Sequence, residues 1–164
     1  MHASGRLLKT PRGRDLVLVR SLALPIAEAW EYLTDSDLTE RWFGPWEGDA
    51  RTGGSVRIRM RFEESEPAIR ARIVACEAPH RLALHTVDEY GSWELDLTLE
   101  EDGEDDTLLR FVHHLDADAE VGEIGPGWEY YLDLLIAATE DTERAGFDQY
   151  YPALREAYLA LRPE

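Results

Sequence analysis

The sequence predicts an α+β fold in which an antiparallel sheet, apolar on one face, curves around a single long helix near the C-terminus. Three observations predict it. From Val56 onward, apolar residues alternate with charged ones, the period of a strand with one buried and one wet face. At Trp128, Tyr131, Leu132 and Leu135 the spacing changes to i, i+3, i+4 and i+7, one stripe of a helix. The segment order is a strand, two short helices, five or six strands and the long helix, which supplies one helix to cover one apolar sheet face.

In chain order, Leu7-Leu8-Lys9 reads as a short strand and Pro11-Arg12-Gly13-Arg14 as a turn. Asp15 to Leu22, rich in Leu and Val, is a strand. Pro25 opens a short helix with Ile26, Ala29, Trp30 and Leu33 on one face, and Asp35 or Ser36 caps a second running to Arg41. Trp42-Phe43-Gly44-Pro45-Trp46 is a bulky aromatic corner. After a Gly53-Gly54 turn, Val56, Ile58, Met60 and Phe62 face in while Arg57, Arg59 and Arg61 face out. Past the loop Glu63–Pro67, Ile69, Ala71, Ile73 and Ala75 face in, with Arg70 and Arg72 out. Arg81 to Val87 is a further strand. Trp93, Leu95, Leu97 and Leu99 face in on the next, and an acidic turn around Gly103 leads to Leu109, Phe111 and His113 on the last. Asp116 to Glu123 is an acidic connector. The long helix is expected to start at Gly125-Pro126-Gly127, with Pro126 in its first turn, and to end near Asp141 or Glu143. A final helix carries Leu154, Tyr158 and Leu161 on one face.

The 164 residues suit one domain, with an arm at 1–13, a core at 14–143 and a C-terminal helical extension at 147–162. Thirty-four acidic against seventeen basic residues give a net charge of −17. Such a surface repels phosphate backbones and anionic lipid, so neither nucleic acid nor a membrane surface is an expected partner. The lone Cys76 allows no internal disulfide and no four-cysteine metal site. There is no His-Glu-x-x-His, no paired Cys-x-x-Cys, no Gly-x-Ser-x-Gly elbow and no phosphate-cradling glycine loop, so no metal or other cofactor is expected. Without a membrane-spanning run or a signal-peptide core at its start, the chain is expected to be cytoplasmic.

A set of residues in fixed order extends this reading. Arg20-Ser21-Leu22, Pro25, Trp30, Leu33-Thr34-Asp35, Trp42-Phe43, Gly53-Gly54, Glu77-Ala78-Pro79, Arg81-Leu82, Thr107, His113 and Gly127-Trp128 resemble the pattern of activator of Hsp90 ATPase homologue 1-like (AHSA1-like) proteins. These belong to the START/Bet v 1-like (SRPBCC) superfamily, which includes polyketide cyclases and aromatases. The resemblance spans Arg14 to Ala138, and Asp148 to Leu154 is similar to tails of some bacterial members. It implies a helix-grip fold with a cavity between the sheet and the C-terminal helix, often suited to apolar ligands. It does not imply an activity, because function belongs to the site rather than the fold.

The residues expected to line that cavity are Trp42, Phe43, Met60, Tyr90, Trp93, Leu95, Phe111, His113, Trp128, Tyr131, Leu132 and Leu135. Each has a plainer role beside it: Trp42, with Trp30, packs the short helices, and Trp93, His113, Trp128 and Tyr131 serve as readily as core. A buried His113 either orients a ligand or hydrogen-bonds a backbone carbonyl or an indole N–H beneath the helix. Three functions follow as alternatives. One is a non-catalytic binding protein for a small hydrophobic or aromatic molecule, with no catalytic residues. Another is a cyclase- or aromatase-like enzyme in which His113 or Tyr131 supplies a proton and confinement does much of the work. The third is a co-chaperone-like module that meets a protein partner through its acidic surface. Homodimerisation through exposed strands or helices is compatible with each.

Overall fold

The computed structural model describes residues 2–88 and 91–164. Eight strands form one antiparallel sheet: β1 (Arg6–Thr10), β2 (Gly13–Leu22), β3 (Trp46–Gly48), β4 (Ser55–Arg59), β5 (Ala68–Glu77), β6 (Arg81–Asp88), β7 (Gly91–Glu101) and β8 (Thr107–Asp116). Their order across the sheet is β1-β2-β8-β7-β6-β5-β4-β3. Two short helices, α1 (Ile26–Thr34) and α2 (Ser36–Thr39), follow β2. The long α3 (Val121–Glu140), a 3₁₀ turn (Phe147–Gln149) and the short α4 (Arg155–Leu159) complete the chain. The curved sheet closed by a long helix is the helix-grip architecture that the sequence predicts.

Alternation fixes the inward face. Leu16 and Leu18 of β2, Leu109, Phe111 and His113 of β8, and Leu95, Leu97 and Leu99 of β7 are all buried. In-register pairing of Leu16 with His113 and of His113 with Leu95 places them on one surface. The expected arm at 1–13 contributes β1, the edge strand. That edge is covered by the C-terminus, where the Lys9 N–H donates to the Glu164 carbonyl (2.9 Å) and the Glu164 N–H to the Leu7 carbonyl (2.8 Å).

One strand departs from simple alternation. A register shift between Ile73 and Ala75 puts Ala75 opposite Ala83 and Cys76 opposite Leu82. A bulge reverses which side chains face in. Ala75, expected inward, therefore shares the outer face with Ala83, and Cys76 turns to the inner face. Phe62 lies beyond the end of β4 and is only half-buried, under the Arg144 guanidinium at 5.0 Å.

The long helix also starts earlier than expected. It begins at Val121, so Gly125, Pro126 and Gly127 lie inside it rather than at its entrance. Gly122 and Gly125 serve packing. A Cβ on Gly125 would stand 2.4 Å from the Tyr158 ring, and one on Gly122 would stand 2.9 Å from Leu159. Absent side chains at i and i+3 make the groove that α4 fills. With Leu154 and Tyr158 seated there, α3 is buried on nearly every side instead of along one stripe. The helix ends at Asp141, whose left-handed φ of 53° caps it.

Candidate functional site

The aromatic corner after α2 is built by short-range hydrogen bonds. The Asp35 carboxylate accepts from the Asp37 N–H (2.9 Å) and caps α2. The Trp42 indole donates to the Tyr32 carbonyl (2.8 Å) and the Trp46 indole to the Thr34 carbonyl (3.1 Å), which pins both rings to α1. Gly44 lets the corner lie on the sheet, since a Cβ there would fall 1.6 Å from the Arg59 carbonyl oxygen. The corner thereby becomes one wall of a cavity of about 110 Å³. Its floor comes from Val56, Ile58, Ile73, Leu82, Leu84, Leu95, Leu97 and Phe111 of β4 to β8, and Trp128 of α3 closes it.

The lining carries no ionisable carboxylate, histidine or basic group; its polar side chains are Thr34, Thr39, the Cys76 thiol and three indoles. Thr39 spends its hydroxyl on the Gly44 carbonyl (2.8 Å). An apolar cavity of about 150 Å³ stays dry and binds benzene, so the space here is on the scale of one small ring. Thr34, Phe43, Trp46, Ala50, Cys76 and Leu84 are half-buried and form its mouth.

Trp128 lies at the centre of an aromatic cluster. Its ring neighbours Phe111 (4.6 Å between centroids), Trp93 (5.5 Å), His113 (6.0 Å), Tyr131 (6.0 Å) and Phe43 (6.4 Å, stacked). Its indole N–H donates to Nδ1 of His113 at 3.0 Å, in a buried bond. Of the two structural partners the sequence allowed for His113, the indole is the one used. Burial, with a smaller contribution from the neighbouring His114, pushes the imidazole down to about 4, Glu94 opposing. The ring is therefore neutral at pH 7, with Nδ1 as acceptor and the proton on Nε2. His114 points outward to Asp15 (2.7 Å). Tyr131 donates its hydroxyl to Glu63 at 2.5 Å. Burial and that carboxylate raise its pKa far above the ordinary phenol value, so it is a poor acid.

Of the twelve residues expected at the site, Trp42, Phe43, Leu95, Phe111 and Trp128 line the cavity. Trp93, His113 and Tyr131 stand behind Trp128 in its cluster. Met60, Leu132 and Leu135 are buried in the surrounding core. Tyr90 lies outside the described residues. Trp46, Thr34 and Cys76 also belong to the lining. Trp46 was legible as part of the aromatic corner, whereas Cys76 depends on the bulge in β5.

The other side of α3 holds a polar network that sequence reading missed. Glu129, 3% exposed, accepts from the Ser4 N–H (2.6 Å), the Ser4 hydroxyl (2.5 Å), the Tyr158 hydroxyl (2.6 Å) and Arg20 (2.6 Å). Burial works against its charge, but the hydrogen bonds from Ser4, Tyr158 and Arg20 outweigh it and hold the carboxyl below its ordinary value. Arg20 also reaches Asp133 (3.2 Å), which accepts from Tyr150 (2.7 Å). The network joins the N-terminal arm, β2, α3 and the C-terminal extension.

Among the described residues no cluster of His, Cys, Asp and Glu has the arrangement to hold a metal ion, and no helix is long and apolar enough to cross a membrane. On the outer sheet face Arg57, Arg59, Arg70 and Arg72 are exposed, and Arg61 pairs with Glu40.

The fold is shared with solved structures. CalU16 from Micromonospora echinospora is 28% identical with a TM-score of 0.77, over 97% of this chain and 96% of that one. DynU16, from the dynemicin biosynthetic locus, is 22% identical with a TM-score of 0.69, over 77% of this chain and 47% of that one. The Aha1 dimer from Colwellia psychrerythraea is 15% identical with a TM-score of 0.63, over 77% of this chain and 96% of that one. The last two are similar in fold alone. No curated protein matches the chain. The sequence pattern of one family, described as activator of Hsp90 ATPase homolog 1-like protein, matches residues 23–140, and the chain belongs to that family.

Proposed function

We propose that the protein binds a small apolar or aromatic molecule in the cavity between the sheet and α3, without acid–base chemistry of its own. The observation that carries this reading is the cavity itself, with its apolar lining and a mouth of half-buried side chains. Burying a flat apolar body there gains about 25 cal/mol per Å² of surface removed from water. The stacked Phe43 and Trp128 rings favour a planar guest.

The cyclase- or aromatase-like alternative would use the same cavity for a reactive chain. The binding reading is favoured because the groups assigned to proton transfer are engaged: Nδ1 of His113 by Trp128, and the Tyr131 hydroxyl by Glu63.

Toluene and indole serve as probes. Saturable shifts of the Ile73, Leu95 and Leu97 methyl resonances, with a raised Tm, are the expected result. Val56→Phe, which fills the cavity from β4, should abolish both. Equal binding by the filled variant, or no binding by the wild type, would overturn the reading.

A further inference from the structure

A second cavity, of about 180 Å³, lies on the outer side of α3, between residues 130–137 of the helix and the segment 142–150. Its chemistry is unlike that of the first. Tyr130 and Tyr150 form aromatic walls, their centroids 5.5 Å apart and their planes inclined at 64°. Ala137 and Ala145 give it apolar surface, and Asp133 and Glu143 bring two carboxylates to its lining.

Asp133 is not used up by its partners. Oδ1 accepts from Arg20 at 3.2 Å and Oδ2 from the Tyr150 hydroxyl at 2.7 Å. Each carboxylate oxygen has a second lone pair, and the side chain is 42% exposed. Tyr150 is held as a donor, because burial and the Asp133 carboxylate raise its pKa. Glu143 is exposed and forms no ion pair among the described residues. The cavity also adjoins the C-terminal end of α3, where the Ala137 carbonyl already accepts from Thr142 (3.0 Å) and the helix dipole favours positive charge. Of the basic groups acting nearby, Arg20 is committed to Glu129 and Asp133, and Arg144 lies over the Phe62 ring.

We propose that this outer cavity is a second binding site, for an ammonium group carried on a small apolar or aromatic body. The ammonium takes the open acceptor positions of Asp133 and the charge of Glu143, and the body lies against the rings of Tyr130 and Tyr150, whose faces attract cations. The site is independent of the inner cavity, from which α3 separates it.

Amide chemical-shift titration of the full chain in moderate salt tests this, with phenethylammonium as probe and neutral 2-phenylethanol as its isostere. Phenethylammonium should saturate shifts at Tyr130, Ala137, Glu143 and Ala145, binding at least about tenfold tighter than the alcohol. Glu143→Gln, an exposed position outside the folding network, should weaken it about threefold or more while leaving toluene binding in the inner cavity unchanged. Equal affinity for ammonium and alcohol would overturn the proposal. So would shifts confined to the acidic turn at 102–106, which would mark general attraction to a chain of charge −17. Shifts at Leu95 and Leu97 alone would place the probe in the inner cavity and overturn it equally.

Discussion

Trp128 and Glu129 are neighbours in sequence, turned roughly 100° from each other around α3, and they serve opposite kinds of packing. On the Trp128 side the helix meets a sheet of apolar side chains, makes one buried polar contact with His113, and leaves space. At Glu129 a buried carboxylate is met by four donors. The inner face tolerates a gap because dispersion and burial carry no directional requirement. The contacts to Glu129 cannot, because each unmet hydrogen bond in a buried ionic network costs the full desolvation of the group left behind. An apolar cavity can therefore be kept open against Trp128 while the network at Glu129 holds the helix in place.

Breaking the outer side should produce the largest effect. Glu129→Ala leaves Arg20 with one of its two carboxylate partners and frees the Ser4 N–H and the Tyr158 hydroxyl, so a loss of about 3–5 kcal/mol is expected. Urea unfolding measures it. Because Glu129 titrates below its ordinary 4.5, its contribution is present above that value and disappears as pH falls further. A loss no larger than that of an exposed Glu→Ala control would show that the outer network does not anchor α3.

How much of this asymmetry could be read in the sequence differs between the two faces. The inner face was legible because strands repeat every two residues: Leu95, Phe111 and Trp128 follow from alternation and helical spacing alone. Where a bulge interrupts that period, at Ile73 to Cys76, the reading failed for Ala75 and missed Cys76. The start of α3 was misread for a different reason. Gly125-Pro126-Gly127 has the local chemistry of a helix entrance, but Gly125 answers to Tyr158, some thirty positions away. Glu129 and Asp133 look like an ordinary solvated helix face until Ser4, Arg20, Tyr150 and Tyr158 are brought to them by the fold. Period reveals a face that packs against a regular surface; it is silent about a face that packs against irregular chain.

The buried contact between His113 and Trp128 gives a smaller, pH-dependent effect. The His113 imidazole is pushed down from 6.5 to about 4. Between these values the unfolded chain takes up a proton that the folded protein refuses, so stability rises with pH across this window and is lost on acidification. The loss approaches about 3 kcal/mol at its lower end. This window opens above that of Glu129, so the two sides of α3 titrate in turn as pH falls. His113→Asn offers Trp128 a carbonyl oxygen close to the position of Nδ1 without a titrating group. It should flatten the dependence between pH 6.5 and 4.5 while keeping the near-ultraviolet dichroism of the aromatic cluster. An unchanged slope in this variant would mean that another group is responsible.

The smallest expected effect sharpens the contrast from the other direction, since space can be filled only where it exists. Val56 is 5% exposed and lines the inner cavity from β4. Val56→Ile adds one methylene to that space, which should stabilise the protein by up to about 1 kcal/mol if the extra carbon is fully buried without strain. The same addition at Gly125, where α4 packs on α3, has no room: a methyl there meets the Tyr158 ring at 2.4 Å, so Gly125→Ala should destabilise instead. The two variants each add a single carbon on opposite sides of α3, and thermal unfolding should show Tm shifts of opposite sign. Destabilisation by both would mean that the inner cavity closes around its own side chains in solution, leaving Val56 as tightly packed as Gly125.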